Sequence, residues 1–255
     1  MNVSKGTKIN NLLQHWPKGT VATSSWLKEQ GVSSLLKQKY QHTQWLESIG
    51  YGAVIRKGDT VNWQGALYAL QEQLHIAIHV GGKSALELQG YAHFIKLGAS
   101  ALHLYSQYGK KLPVWFTTHK WDGEIKIHKT GFLATREGLT SHQEANFLLQ
   151  ISTPERAFLE TLYLVPQAQD IQECYYLLEN MIDLRPSVLQ RLLEKTTSVK
   201  VKRLFFFLAD KVNHPWLNQL DKTKISLGSG KRKIVEGGVL DKEYLITVPK
   251  GLSHD

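Results

Sequence analysis

The sequence predicts an α+β fold: a small helical module closed by a β-hairpin, followed by a larger mixed α/β domain. Three observations carry this. Apolar residues recur at helical spacing in the N-terminal stretch, and a glycine-punctuated run rich in aromatic and β-branched residues comes directly after it. Beyond it, short apolar runs alternate with helical periods and capping signals. A chain of 255 residues suits one large or two modest domains, and we place the division at 1–90 and 91–255. With 42% hydrophobic residues a real core can form, which excludes a disordered chain.

The N-terminal elements come first. Ile9, Leu12, Leu13 and Trp16 fall on one face of a short helix that Pro17 ends. Thr23 can cap a second helix running through Trp26 and Leu27, and Gly31 suits the position just past its end, where a left-handed backbone is needed. Ser33 can cap a third helix. There Leu36, Tyr40 and Thr43 share a face suited to packing inward, and Ser34, Lys37, Gln38 and Gln41 share another. Such residue types, with Ser33 beside them, contact phosphates and base edges in a major groove. Any surface helix also has a solvated polar face, so the face alone does not decide.

The neighbouring segment decides. Residues 45–58 read as two short strands around a glycine-rich turn, with Tyr51, Arg56 and Lys57 placed to meet a flanking nucleic-acid backbone. Three helices plus a basic hairpin describe a winged helix-turn-helix, in which the third helix enters the groove.

Further along, Gly65–Gln71 reads as a helix, His75–Val80 as a strand and Gly81–Leu88 as a glycine turn leading into a helix. Ala101–Tyr105, Ile125–His128 and Ala145–Ile151 are strand candidates. Ser152 and Glu155 have capping-box spacing around Pro154, which starts a helix. Helices are expected near 170–182, 187–195 and 199–212, and the run Leu204–Ala209 is apolar all round, which predicts a central core helix. Short strands are expected at Lys231–Val235 and Tyr244–Val248.

Charge is uneven. Residues 1–62 carry eight basic and three acidic side chains, net +5; residues 63–194 are net −2; residues 195–255 are net +6. A basic module and a basic C-terminal stretch around a near-neutral middle suggest a polyanion partner, nucleic acid before membrane. Two C-terminal clusters stand out: Lys195, Lys200, Lys202 and Arg203 along a helix start, and Lys231, Arg232 and Lys233 at a strand or turn. Each could bind phosphates or an acidic partner, or be a solvated face.

Catalytic chemistry is sparse. Gly82-Lys83-Ser84 resembles the end of a phosphate loop, but Ala77 stands where that pattern needs glycine. His75 and His79 are four apart on a strand-like run, which does not aim both at one metal, and His93, His103, His119, His128, His142 and His214 are scattered singly. One cysteine, Cys174, excludes a disulfide framework and a Cys-cluster zinc site, and reads as a small buried apolar residue. No run approaches the ~18 apolar residues of a membrane span, and the N-terminus lacks a signal-peptide core. We therefore expect a cytoplasmic non-enzyme with no cofactor, no metal and no membrane partner.

Nearly the whole chain, in order, resembles the AbiEi family of antitoxins, transcriptional regulators of bacterial abortive-infection toxin–antitoxin systems. The resemblance rests on Val21-Ala22-Thr23 with Trp26-Leu27 and Gly31, Trp63-Gln64-Gly65 with Leu67–Leu70, and His79–Tyr91. It continues through Ser152–Ala157, Tyr163–Pro166, Ser198–Leu204, His214–Leu217, Leu227–Arg232 and Tyr244–Pro249. It implies a winged helix-turn-helix and a C-terminal antitoxin domain, repression of its own operon through inverted repeats, and opposition to a co-encoded nucleotidyltransferase-fold toxin, with or without stable contact. From the geometry of the faces, the expected DNA contacts are Ser33, Ser34, Lys37, Gln38, Gln41, Arg56 and Lys57, and the candidates for antitoxin action are Lys200, Lys202, Arg203, Lys231 and Arg232. The alternatives are a winged-helix regulator whose C-terminal domain senses a small ligand, and an enzyme that docks nucleic acid through the winged helix.

Overall fold

The structure, a computed structural model, describes residues 8–91, 101–109 and 111–252. Its first elements are α1 (Lys8–His15), β1 (Ala22–Thr23), α2 (Ser24–Glu29), α3 (Ser34–His42), β2 (Leu46–Gly50), β3 (Ala53–Arg56) and α4 (Trp63–Tyr68), which continues into a π-helical turn at Ala69–Gln73. Next come β4 (Ile78–Val80), α5 (Gly82–Leu88), β5 (Leu102–Ser106), α6 (Val114–Thr118), β6 (Ile125–Lys129), β7 (Leu139–Glu144) and β8 (Phe147–Ser152). The chain ends with α7 (Pro154–Tyr163), α8 (Ile171–Glu179), α9 (Pro186–Lys195), α10 (Val199–Val212), β9 (Val239–Asp241) and β10 (Ile246–Val248). The fold is mixed α/β, with sheet orders β1-β3-β2, β6-β5-β4-β8-β7 and β10-β9. Two compact units form, and neither is one continuous stretch: Met1–His79 with Ser106–Ile125 and Ser141–Gln150, and Val80–Tyr105 with Lys126–Thr140 and Ile151–Asp255.

In the first unit the helical spacing of Ile9, Leu12 and Trp16 buries one face of α1 against Leu27, Val32, Leu46 and Val54. Trp16 is fully packed, meets Trp26 edge-on at 6.1 Å, and donates its indole N–H to the Thr20 carbonyl at 3.1 Å. β1 adds to the outside of the hairpin, pairing Ala22 with Val54 and Thr23 with Ala53. Two residues carry no period, so the sequence could not announce this strand. Its outer edge is closed by the buried Gln73, which donates to the Val21 carbonyl and accepts from the Thr23 N–H, both at 2.8 Å.

In the second unit α10 is the central helix: Val201 through Ala209 are all buried, as the all-round apolar run predicts. It packs on α7 and α8 and ends at Asn213, whose φ of 54° gives the left-handed turn. β4 pairs in parallel with β8 through Val80 and Ile151. Several expectations change. Thr153 precedes α7 as its cap residue, and Glu155 forms no capping box because its carboxylate goes to Arg185 at 2.8 Å. The strand expected at Lys231–Val235 is reduced to one bridge from Arg232 to Ile246, and β10 pairs instead with β9. The strand expected from His75 begins only at Ile78, because His75 takes φ of 49°. α6 and β7 are additions to the elements that the sequence predicts. Among the described residues no helix is long and apolar enough to cross a membrane.

Candidate nucleic-acid interface

Local rules fix the α2–turn–α3 corner. The Thr23 hydroxyl accepts from the Trp26 N–H at 3.3 Å and caps α2. At the other end Gly31, with φ of +76°, donates to the Lys28 carbonyl at 3.0 Å, and Val32 donates to Leu27 at 2.8 Å. This pair of bonds closes a Schellman turn, with Val32 buried in the core. Ser33 then caps α3, its hydroxyl accepting from the Leu36 N–H at 3.2 Å.

The outward direction of α3 lies elsewhere on the helix than the sequence stripe implied. Leu36 and Tyr40 pack on the core, as expected. Ser33, Ser34 and Gln38 are exposed, whereas Gln41 is half-buried and Lys37 leans back to donate to the Ser24 hydroxyl of α2 at 3.0 Å. The most exposed stripe is Leu35, Gln38, Lys39 and His42, roughly one residue step of 100° round from Ser34, Lys37 and Gln41. Leu35 is 77% exposed. The sequence signal for this was present in the phase of Leu36 and Tyr40, which places Leu35 off the inward face.

The hairpin of β2 and β3 turns at Tyr51-Gly52, with Gly52 at φ of +85° and Tyr51 96% exposed at the tip. Lys57 is exposed and pairs with Glu47 across the strands at 3.0 Å. Arg56 corrects the expectation of a backbone-contacting wing residue. Its guanidinium points inward, lies 5.2 Å over the Trp16 ring, and donates to the carbonyls of Leu13, at 3.0 Å, and Trp16. It closes the C-terminal end of α1, whose last carbonyls would otherwise lack partners.

Three of the C-terminal cations are corrected in the same way. Lys200 donates to the carbonyls of Tyr163 at 2.7 Å and Val165 at 2.5 Å, so it caps α7 from within, and burial pulls its ammonium below the usual lysine range. Lys202 is 7% exposed. Arg203 is 1% exposed and donates to the carbonyls of Leu227 at 2.7 Å, Gly230 at 2.6 Å and Leu245 at 3.3 Å. Lys202 and Arg203 are thus buried, and Lys200 is half-buried with its ammonium turned to backbone carbonyls. Lys231 and Arg232 are exposed.

Comparison with known proteins bears on both halves. The model of the N-terminal domain of the AbiEi antitoxin transcriptional regulators matches residues 5–97, and the model of the AbiEi antitoxin transcriptional regulator of type IV toxin–antitoxin systems matches 99–249. This chain belongs to the AbiEi antitoxin family. The crystal structure of the RV2827C protein from Mycobacterium tuberculosis shares the fold, with a TM-score of 0.59 at 15% identity over 93% of this chain and 88% of that one. No curated protein matches significantly.

In this AbiEi member the Gly81-Gly82-Lys83-Ser84 stretch is a packing device. Glu160, buried in α7, accepts from the Gly82 N–H at 3.0 Å, the Ser152 hydroxyl at 2.7 Å and the Arg156 guanidinium at 2.8 Å. A Cβ at Gly81 would sit 2.2 Å from that carboxylate. The amide that a phosphate loop would aim at a nucleotide is thus satisfied by the protein's own acid, and Lys83 pairs with Glu173 at 3.3 Å. His103 and His128, single in sequence, meet at 2.9 Å between ring nitrogens, and His93 lies outside the described residues. Burial first, then His128, Lys126 and Lys83, hold His103 down to about 4. Cys174 is buried, and burial pushes its thiol up.

Proposed function

We propose that this AbiEi family member is an antitoxin that represses its own operon by binding inverted repeats in its promoter, and that it counteracts a co-encoded toxin of nucleotidyltransferase fold. In this reading residues 1–90 form a winged helix-turn-helix DNA-binding domain and residues 91–255 the antitoxin domain. The carrying observation is the α2–Gly31–α3 corner, capped at both helix starts and flanked by a hairpin with an exposed tip. It presents a helix with no carboxylate in its sequence, Ser34–His42. A helix of this kind, set by a tight turn, is what a major groove admits.

Ser33, Ser34, Lys37, Gln38 and Gln41 are the proposed contacts of α3, with Lys57 on the wing. Lys231 and Arg232 are the remaining candidates for antitoxin action. Fluorescence anisotropy tests the reading: the full chain is titrated into duplex DNA from its own upstream region and into a scrambled duplex, at two salt concentrations. Preference for the native duplex that persists at higher salt supports sequence-specific repression. Equal binding to both, lost with salt, refutes it. Rescue of growth from the neighbouring toxin gene tests the second half.

A further inference from the structure

We propose that Leu35 reads a thymine: its isobutyl group meets the C5-methyl of one thymine in the major groove of each operator half-site. The inference rests on the operator-binding reading above. Leu35 is the second residue of α3, directly after the capped start at Ser33, in the turn that a helix-turn-helix sets nearest the bases. It is 77% exposed, although the adjacent Leu36 packs on the core, so folding of the module does not need an apolar side chain there.

Its surroundings choose the occupant. The other members of the outward stripe are Gln38, Lys39 and His42, all polar and exposed. A protein-docking patch needs contiguous apolar surface, and a single leucine among amide and cationic groups does not supply it. A base-pair edge does match. In the major groove the thymine methyl is the apolar feature among hydrogen-bond donors and acceptors, and phosphates flank it for Lys39. Leu35 then supplies discrimination that neither Gln38 nor the cations can, because those groups recognise polar atoms and charge.

Deoxyuridine tests this by removing that methyl and nothing else. Each thymine of the native duplex is replaced in turn, and the full-length wild type and Leu35→Ala are titrated by anisotropy. The wild type loses about fourfold in affinity at one thymine per half-site, the worth of one methyl-sized group. Leu35→Ala binds the native duplex more weakly, loses the methyl effect at that position alone, and keeps the wild-type melting temperature. Gln38→Ala keeps the methyl effect. Specific binding by the wild type with no thymine sensitivity, or a sensitivity that Leu35→Ala retains, overturns the inference and leaves operator binding standing. A changed oligomeric mass for Leu35→Ala in light scattering also overturns it and assigns Leu35 to a contact between copies. Absence of sequence-specific binding by the wild type removes the operator reading and this inference together.

Discussion

Replacing Arg203 with methionine separates a structural cation from a surface one. The side chain is 1% exposed, and its guanidinium holds the carbonyls of Leu227, Gly230 and Leu245 at 2.7, 2.6 and 3.3 Å. Hydrogen bonds from a charged donor contribute about 1.5–3 kcal/mol each. Two short ones and one long one set an upper range of about 4–7 kcal/mol. Two corrections lower it. Gly230 is exposed and Leu227 and Leu245 are half-buried, so water replaces part of what is lost. Removing a buried cation that has no bonded carboxylate among the described residues also relieves a desolvation cost. A net loss of about 3 kcal/mol remains, which for a chain of this size lowers Tm by roughly 6–12 °C. Thermal unfolding of the full-length protein by circular dichroism reads this directly. A fall of less than about 2 °C, with toxin rescue abolished, would place Arg203 on a functional surface and refute the structural assignment.

Arg56→Ala should cost about 2 kcal/mol through the carbonyls of Leu13 and Trp16 and the Trp16 ring, read as a lower urea midpoint, whereas Lys57→Ala should leave stability unchanged and cut the log–log salt slope of DNA binding by less than the ~0.9 of an unpaired cation, because Lys57 exchanges Glu47 for a phosphate. His103 gives a pH dependence of fixed sign. Its folded value of about 4 lies below the ordinary 6.5, so the unfolded chain binds more protons between those values and stability falls as pH falls through that window. The full shift converts to about 3.4 kcal/mol, and partial solvent access reduces this to ~1.5. Urea midpoints at pH 7 and pH 4.5 should differ accordingly, and the gap should narrow in His103→Gln, with His128, Glu155 and Glu137 supplying the remainder; an unchanged gap in that variant would sink the argument. Glycine substitutions give a paired contrast. A Cβ at Gly65 would lie 1.8 Å from the Gly19 carbonyl oxygen, so Gly65→Ala should cost more than about 4 kcal/mol and yield insoluble protein. Gly31 has open space around it at φ of +76°, so Gly31→Ala should cost only the ~1–2 kcal/mol of a left-handed alanine.

Features legible in the sequence were those fixed within a few residues. The caps at Thr23 and Ser33, the left-handed Gly31, Pro154 at the start of α7 and the apolar run of α10 all act over one helical turn, and each lies where expected. What escaped depends on distant partners. Arg203 reaches carbonyls 24, 27 and 42 positions away, and Arg56 reaches back 40 and 43. Nothing in a run of basic residues distinguishes a cation that serves carbonyls from one that faces water. The phase of α3 failed for a related reason. Leu36 and Tyr40 place Leu35 off the inward face, but that Lys37 leans back depends on the Ser24 hydroxyl of α2, 13 positions away. His103 and His128 could not be paired without knowing that β5 and β6 are neighbours.

Not every basic side chain counted in the sequence is presented to a polyanion. In the C-terminal stretch Lys195 pairs with Glu137, Lys222 with Asp210, Lys224 with Asp221 and Lys233 with Glu236, while Lys200 and Arg203 serve carbonyls. In the N-terminal module Arg56 is turned inward and Lys57 is paired. A salt-bridged or buried cation releases few counterions on binding DNA, so the sequence-independent term is smaller than the composition suggests. For the proposed operator binding, this moves the burden from charge to shape and base contact. On that proposal affinity comes from fitting α3 into one groove sequence, and the uncharged residues of its outward stripe, Leu35 and Gln38, carry more of it than the basic residue count suggests.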